Sequence, residues 1–195
     1  SFSVNPYINT ISNFVILEPT SVRETIRGNF QVWEYRQTRA HLFGVDIDAA
    51  YKFTEHISST HQLSIVKGYD RELDLPLIHM PPVRTRNELT FVYPSLRNLK
   101  MGLESTYVFA QNEFPDNNFE VYVPVTETTE LVDISTPPSA YHLLNFSSSI
   151  EFEIAKKSLL TVGLGITNIT NTSYRNYLNL QRFYADDLGR NFLLN

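Results

Sequence analysis

Ala40-His41-Leu42-Phe43-Gly44-Val45-Asp46-Ile47-Asp48-Ala49-Ala50-Tyr51-Lys52-Phe53 is the stretch that decides the fold. Its odd positions, His41, Phe43, Val45, Ile47, Ala49, Tyr51 and Phe53, form an almost wholly apolar series that finishes in aromatics. Its even positions carry Gly44, Asp46, Asp48 and Lys52. Successive side chains of an extended chain point to opposite faces, so a period of two marks a β-strand. Length adds a second signal. A typical soluble strand has about five or six residues, whereas a tilted strand crossing a bilayer needs roughly nine to eleven. This run is long enough to cross.

The same alternation recurs downstream. Leu89, Phe91 and Tyr93 oppose Arg84, Arg86, Glu88 and Thr90. Leu99, Met101, Leu103, Tyr107 and Phe109 oppose Lys100, Gly102, Glu104 and Thr106. Leu144, Phe146, Ile150, Phe152 and Ile154 oppose Asn145, Ser147, Ser149, Glu151 and Glu153, and Leu160, Val162, Leu164 and Ile166 oppose Thr161, Gly163, Gly165 and Thr167. Lipid-facing and lumen-facing residues alternate in this way in a transmembrane β-barrel. A soluble antiparallel sheet with one wet face alternates too, so the connections have to discriminate. Short turns are expected at Thr54 to Ser58, Pro94 to Asn98 and Ala155 to Lys157. Long loops are expected at Glu18 to Asn29, Asp70 to Pro82, Glu113 to Pro138 and Ile169 to Leu188. The long ones hold most of the 10 prolines, which suits irregular surface segments. Short turns at one end and long loops at the other are the build of outer-membrane barrels.

About eight crossings are predicted on this basis. They run near Asn5–Leu17, Phe30–Phe53, Ser58–Tyr69, Pro82–Tyr93, Asn98–Asn112, Ser139–Ile154, Ser158–Asn168 and Leu188–Asn195. Phe30 to Arg39 is expected to project above the membrane. Tyr51, Tyr69, Tyr93 and Tyr141 fall near strand ends, where a barrel places its aromatic girdles.

Composition is compatible with this reading. The 195 residues carry a net charge of −5 and no cysteine, and mean hydropathy is −0.21. No apolar stretch of helix-spanning length occurs in these 195 residues and none of them reads as a signal peptide; a barrel needs no such helix because half of each strand is polar. Without cysteine there is no disulfide framework and no thiolate chemistry. Mild acidity argues against nucleic acid as a partner.

Catalytic chemistry finds no support. The histidines, His41, His56, His61, His79 and His142, have no metal-ligand spacing, and neither a Gly-x-Ser-x-Gly elbow nor a His-Glu-x-x-His helix occurs. Asp186-Asp187 and Glu151/Glu153 read as loop and lumen polarity. No catalytic residue, metal ligand or cofactor is therefore expected. Candidate ligand contacts are Trp33, Tyr35, Arg36 and Arg39 on the projecting arm, His79 (beside Met80) in a long loop, and Arg84 and Arg86. Guanidinium forks suit the carboxylates of an anionic chelate. Ordinary exposed loop surface or a solvated lumen is the plain alternative for each.

Three motifs in order carry a family resemblance. One is Gln37-Thr38-Arg39-Ala40-His41-Leu42-Phe43-Gly44-Val45-Asp46, where a small residue and a glycine precede a lumen-facing acid. The second is Leu77-Ile78-His79-Met80-Pro81-Pro82-Val83-Arg84. The third is Gly165-Ile166-Thr167-Asn168-Ile169-Thr170-Asn171-Thr172-Ser173-Tyr174-Arg175-Asn176-Tyr177-Leu178, followed by Arg182-Phe183-Tyr184-Ala185-Asp186-Asp187-Leu188-Gly189-Arg190-Asn191-Phe192. With these the chain resembles the C-terminal part of the barrel of a TonB-dependent outer-membrane receptor, closer to the siderophore and metal-chelate branch than to the glycan-importing branch. The resemblance implies an all-β fold of antiparallel, up-and-down transmembrane strands. Residues 1–195 would be the C-terminal portion of a barrel of roughly 22 strands. The plug domain of that family, through which TonB acts, is expected to be absent, and the last strand to be cut short at Asn195. The resemblance further implies residence in the bacterial outer membrane and import of a scarce nutrient, a siderophore or other metal chelate. The implied partners are outer-membrane lipid, the nutrient ligand and the TonB complex through the missing plug. Edge-strand self-association is expected because an incomplete barrel has two open edges. Two other classes stay open: a complete small anchor or adhesin barrel of about eight strands, and a soluble calyx with the apolar register inside.

Overall fold

Each long strand pairs with the next one along the chain. The structure is a computed structural model that describes residues 1–26, 28–123, 125–155 and 158–195. Its strands are β1 (Phe2–Thr25), β2 (Gly28–Lys52), β3 (Ile57–Asp70), β4 (Leu75–Pro76), β5 (Arg84–Tyr93), β6 (Leu99–Val108), β7 (Phe119–Val123), β8 (Thr128–Val132), β9 (Tyr141–Ala155), β10 (Ser158–Thr167) and β11 (Asn191–Leu194), with a 3₁₀ turn at Leu180–Phe183. The main sheet runs β1-β2-β3-β5-β6-β9-β10-β11, with β4 appended to β3, while β7 and β8 form a separate hairpin. All pairings are antiparallel. The architecture is the wall of an up-and-down antiparallel β-barrel.

The predicted crossings correspond to the eight strands of the main path, and two of the predicted loops need correction. Much of Glu18 to Asn29 is strand, because the β1–β2 ladder continues to Thr25↔Gly28. Pro19, the one proline of that predicted loop, falls on β1, an edge of the sheet, where a missing N–H is tolerated. Register shifts at Ile11/Phe14 and Pro19/Ser21 absorb the irregularity, the first beside Asn13 in the left-handed region (φ 58°). Within Glu113 to Pro138 the β7–β8 hairpin is folded; Pro124 lies outside the described residues. Of the predicted turn Ala155 to Lys157, Lys156 and Lys157 lie outside them too, as does Arg27 of the first predicted loop. The turn after β2 closes through Phe53 N–H donating to Ile57 O at 2.9 Å, with Thr54 Oγ1 accepting from the His56 and Ile57 N–H groups.

Register places the apolar residues on one continuous face. One row runs Ile8–Phe43, another Pro6–Val45–Ile65 and a third Val4–Ile47–Leu63. Across the remaining strands Leu89–Leu103–Phe146–Ile166–Phe192 and Phe91–Met101–Ser148–Leu164–Leu194 continue the belt. None of these side chains is buried in the chain: Ile8 is 75% exposed, Leu103 47% and Phe192 65%. Among the described residues the buried hydrophobics are Ile16, Ala40, Leu77 and Tyr177, all near the loop end. A soluble domain of this length encloses far more apolar surface than that. The soluble calyx is therefore set aside, since no apolar interior is enclosed among the described residues. The small closed barrel is set aside as well, because β1 and β11 are the two edges of the sheet and do not pair with each other.

Aromatic residues rim the belt at both ends. At the short-turn end Tyr51 packs edge-on to Phe53 (4.8 Å between centroids), Phe91 stacks on Tyr93 (6.2 Å) and Tyr93 meets His56 (5.5 Å). At the loop end Phe43 stacks on Tyr69 (6.0 Å), and Tyr107 meets Phe109 (4.7 Å) and His142 (6.1 Å). Phe43 lies eight to ten residues from Tyr51 and Phe53. At about 3.4 Å per residue and a tilt near 45° that is roughly 19–24 Å, close to the ~25 Å apolar band of an outer-membrane barrel.

Gly44 is fixed by contact. A Cβ there would run into Ile65 O and would meet the Tyr7 ring and hydroxyl at 2.6–2.7 Å. Tyr7 lies directly across the ladder from Gly44 and covers the bare backbone, as aromatics do beside sheet glycines. Gly44→Val is expected to abolish folding of the β1–β3 ribbon. The readout is loss of the heat-modifiable band that a folded barrel shows on gel electrophoresis, and an unchanged band would contradict the contact.

Candidate ligand-contact surface: inner wall and mouth

The face opposite the belt is polar and knitted together. Ser64 Oγ donates to Asp46 Oδ1 (2.7 Å) and Gln62 Nε2 to Asp48 Oδ1 (3.0 Å). Arg86 pairs with Glu104 (2.6 Å) and approaches Glu88 (3.9 Å). Asn145 Nδ2 donates to the other Glu104 oxygen at 2.9 Å. These residues share the inward face because the ladders place Glu88 opposite Glu104 and Glu104 opposite Asn145. The wall is polar and charged, its acids held by Ser64, Gln62, Asn145 and the one guanidinium of Arg86.

At the loop end β2 outruns β3. The β2–β3 ladder stops at Ala40↔Asp70, beyond which β2 pairs with β1 alone as a two-stranded arm. The arm is tied at its root. Arg36 bridges Glu18 and Asp70, both at 2.5 Å, and the Thr38 hydroxyl donates to Asp70 at 2.6 Å. Asp70 also accepts from the Glu72 and Leu73 N–H groups. Burial alone would raise the Asp70 pKa, but the Thr38, Arg36 and backbone donors together hold it at about 2. Beside this network Leu77 and Met80 of the following loop pack on Ile16, Ala40, Phe14 and Leu42, so the loop folds back onto the sheet.

Over this base lies an aromatic stack drawn from distant segments. Trp33 of the arm lies parallel to His79 (5.7 Å, 16°), and His79 meets Tyr177 of the last loop (5.9 Å). The Arg182 guanidinium sits 4.5 Å from the rings of both Tyr177 and Phe183. It donates to Tyr177 O and, at 3.4 Å, to Ile134 O in the segment after β8. His79 is in the left-handed region (φ 57°), and its Nε2 is buried without a hydrogen-bond partner among the described residues. Burial first, then the nearby Arg182 charge, lowers the His79 pKa. The unfolded chain therefore takes up the His79 proton first as pH falls, and the stack loses stability below about pH 6.5, the free-histidine value. Trp33 is the single tryptophan, so its emission reports on the contact. A transition in Trp33 fluorescence below about pH 6.5 is expected, and His79→Gln should remove it. An identical transition in that variant would contradict the assignment.

The sequence candidates are thus spread over three places. Trp33 and His79 meet in the stack, while Tyr35 stands 78% exposed on the arm. Arg36 is committed to Glu18 and Asp70. Arg84 and Arg86 lie on the inward face of β5, Arg86 held by Glu104. Arg39 is exposed and belongs to the outward register, apart from the others. The four arginines do not form one anion pocket. Sequence reasoning missed Tyr177 and Arg182 as the centre of the mouth cluster. Both sit in a polar, aperiodic loop, and the only available signal was an arginine next to aromatics. Among the described residues no group of three or more His, Asp or Glu could hold a metal ion.

The fold is similar to that of a solved structure, the copper transporter OprC. The TM-score is 0.72 at 16% sequence identity, over 98% of this chain and 27% of that one. The chain spans about a quarter of the length of that transporter. At this identity the likeness speaks to the fold alone. No family model and no curated protein matches the sequence.

Proposed function

We propose that this chain is the C-terminal portion of the barrel of a TonB-dependent receptor in the bacterial outer membrane, importing a siderophore or other metal chelate. The observation that carries the reading is the apolar outward belt between two aromatic rims, backed by a charged inner wall. That combination is what a strand wall needs between acyl chains and an aqueous lumen. A wall of the same fold is found in a copper transporter, and transport is the role proposed here; no catalytic role is proposed.

In this reading the belt faces outer-membrane lipid and the long-loop end faces outwards. A plug domain on residues outside this chain occupies the lumen and takes the pull of TonB. The nutrient meets the mouth. Tyr35, Trp33 and Arg84 are the side chains offered to it, with His79 stacked behind Trp33. Arg36 and Arg86 serve by holding their elements in place. The open edges of β1 and β11 pair with further strands, or with those of another copy where such strands are lacking.

Uptake by the full-length receptor tests this. A strain relying on the encoding gene should take up a ferric chelate only when TonB is functional. Uptake that persists without TonB, or failure across chelates of differing chemistry, would refute the reading.

A further inference from the structure

We propose that Arg39 and Arg71 form a clamp for the phosphorylated headgroup of a membrane lipid in the leaflet at the long-loop end. The inference rests on the membrane reading of the outward face. The β2–β3 ladder ends at Ala40↔Asp70, and the next step brings Arg71 N–H to Arg39 O at 2.8 Å. The two arginines are therefore directly opposite. Ala40 and Asp70 are buried against the inward cluster, so alternation sends Arg39 and Arg71 to the other face, in line with His41, Tyr69, Phe43 and Lys67. Both arginines are exposed.

Like charges directly across a ladder repel, and no described residue relieves them. Neither guanidinium makes a hydrogen bond or ion pair among the described residues. The acids nearby are otherwise engaged. Asp70 and Glu18 turn inward to Arg36, and Glu113 is taken by Lys67 and by Tyr69, whose hydroxyl donates to it at 2.8 Å. Glu72 is exposed and makes no ion pair among the described residues. A pair of uncompensated forks calls for an anion from outside.

Its position says which anion. The pair stands two residues, about 7 Å, beyond the Tyr69–His41 pair of the rim, where Tyr69 stacks on Phe43. That is the headgroup layer. Lipid phosphates lie there, and guanidinium groups bind phosphate in a bidentate manner. Attraction of basic side chains to anionic headgroups is strongest within a Debye length of the surface.

Retention of a bis-phosphorylated diglucosamine lipid by the protein in vesicles or mild detergent, followed by native mass spectrometry, tests the clamp. The wild type should retain this lipid, and R39Q/R71Q should lose about tenfold or more of its apparent affinity. The dephosphorylated lipid should bind both proteins alike. R97Q, at the short-turn rim where Arg97 lies over Phe152, should behave as wild type. Equal retention by R39Q/R71Q would overturn the clamp, and displacement of the lipid by millimolar inorganic phosphate would overturn the lipid assignment. Flotation with vesicles separates the two levels. A wild type that inserts but loses nothing in R39Q/R71Q sinks the clamp alone, whereas one that never inserts sinks the membrane reading and the clamp with it.

Discussion

Leu103→Arg destabilises the protein in a bilayer by about 2–4 kcal/mol, the cost of arginine on the lipid face at mid-depth. Leu103 lies four residues from Leu99 and four from Tyr107, and its row neighbours are Leu89 and Phe146. It is 47% exposed, so a soluble protein would carry the same arginine within about half a kcal/mol. The size of the loss is therefore diagnostic of what the side chain touches. Thr90→Arg provides the contrast. Thr90 is on the inward face, its hydroxyl reaching Glu88 at 3.5 Å, and arginine there gains an acid and keeps its water. Urea unfolding in lipid vesicles should rank the two substitutions clearly. Equal midpoints for both would count against the facing assigned to the sheet.

Arg182→Ala should open the mouth while leaving the wall intact. Arg182 is 3% exposed and joins the last loop to the segment after β8 through Ile134 O. Its truncation removes two cation–π contacts and two donors, and leaves a void beneath Tyr177. A desolvated cation–π contact contributes about 2 kcal/mol, and a charged hydrogen bond about 1.5–3 kcal/mol. Overlap between these terms brings the expected local loss to about 2–4 kcal/mol. Hydrogen exchange around residues 133–138 and 174–187 should then rise roughly 30- to 1,000-fold, with β5, β6, β9 and β10 unaffected. Arg182→Lys should recover little, since an ammonium lacks the planar fork that stacks on two rings. Unchanged exchange in the loops would show that Arg182 does not hold them.

How much of this was legible in sequence depended on periodicity. The run from Ala40 to Phe53 reads directly onto β2 because a period of two survives wherever one face meets a uniform medium. The inward row of Asp46, Asp48, Arg86, Glu88 and Glu104 was legible for the same reason. The arm was half legible: Phe30 to Arg39 was expected to project, but Pro19 and the polar stretch around it hid the partner strand. An edge strand tolerates proline, and pattern alone does not mark which strand is an edge. The mouth cluster was least legible. Trp33, His79, Tyr177 and Arg182 come from three separate segments joined by long-range contacts, and no local period connects them. The four arginines considered together as an anion site illustrate the limit. Arg36 and Arg39 are three residues apart, yet the strand sends one inward to Asp70 and the other outward to the rim.

The central claim is that the odd residues of β2 between the rims face acyl chains and the even ones face water. The chain has no cysteine, so single cysteines placed at Phe43 and from Val45 to Phe53, Gly44 being left in place because a side chain there meets Ile65 O and Tyr7, and spin-labelled in reconstituted vesicles give an unmixed signal. Paramagnetic relaxation by lipid-soluble oxygen against a water-soluble nickel chelate measures the medium at each site. Oxygen dominance at Phe43, Val45, Ile47, Ala49 and Tyr51, with nickel dominance at Asp46, Asp48 and Ala50, is the predicted result. Nickel access at every position, or the two series exchanged, would contradict it.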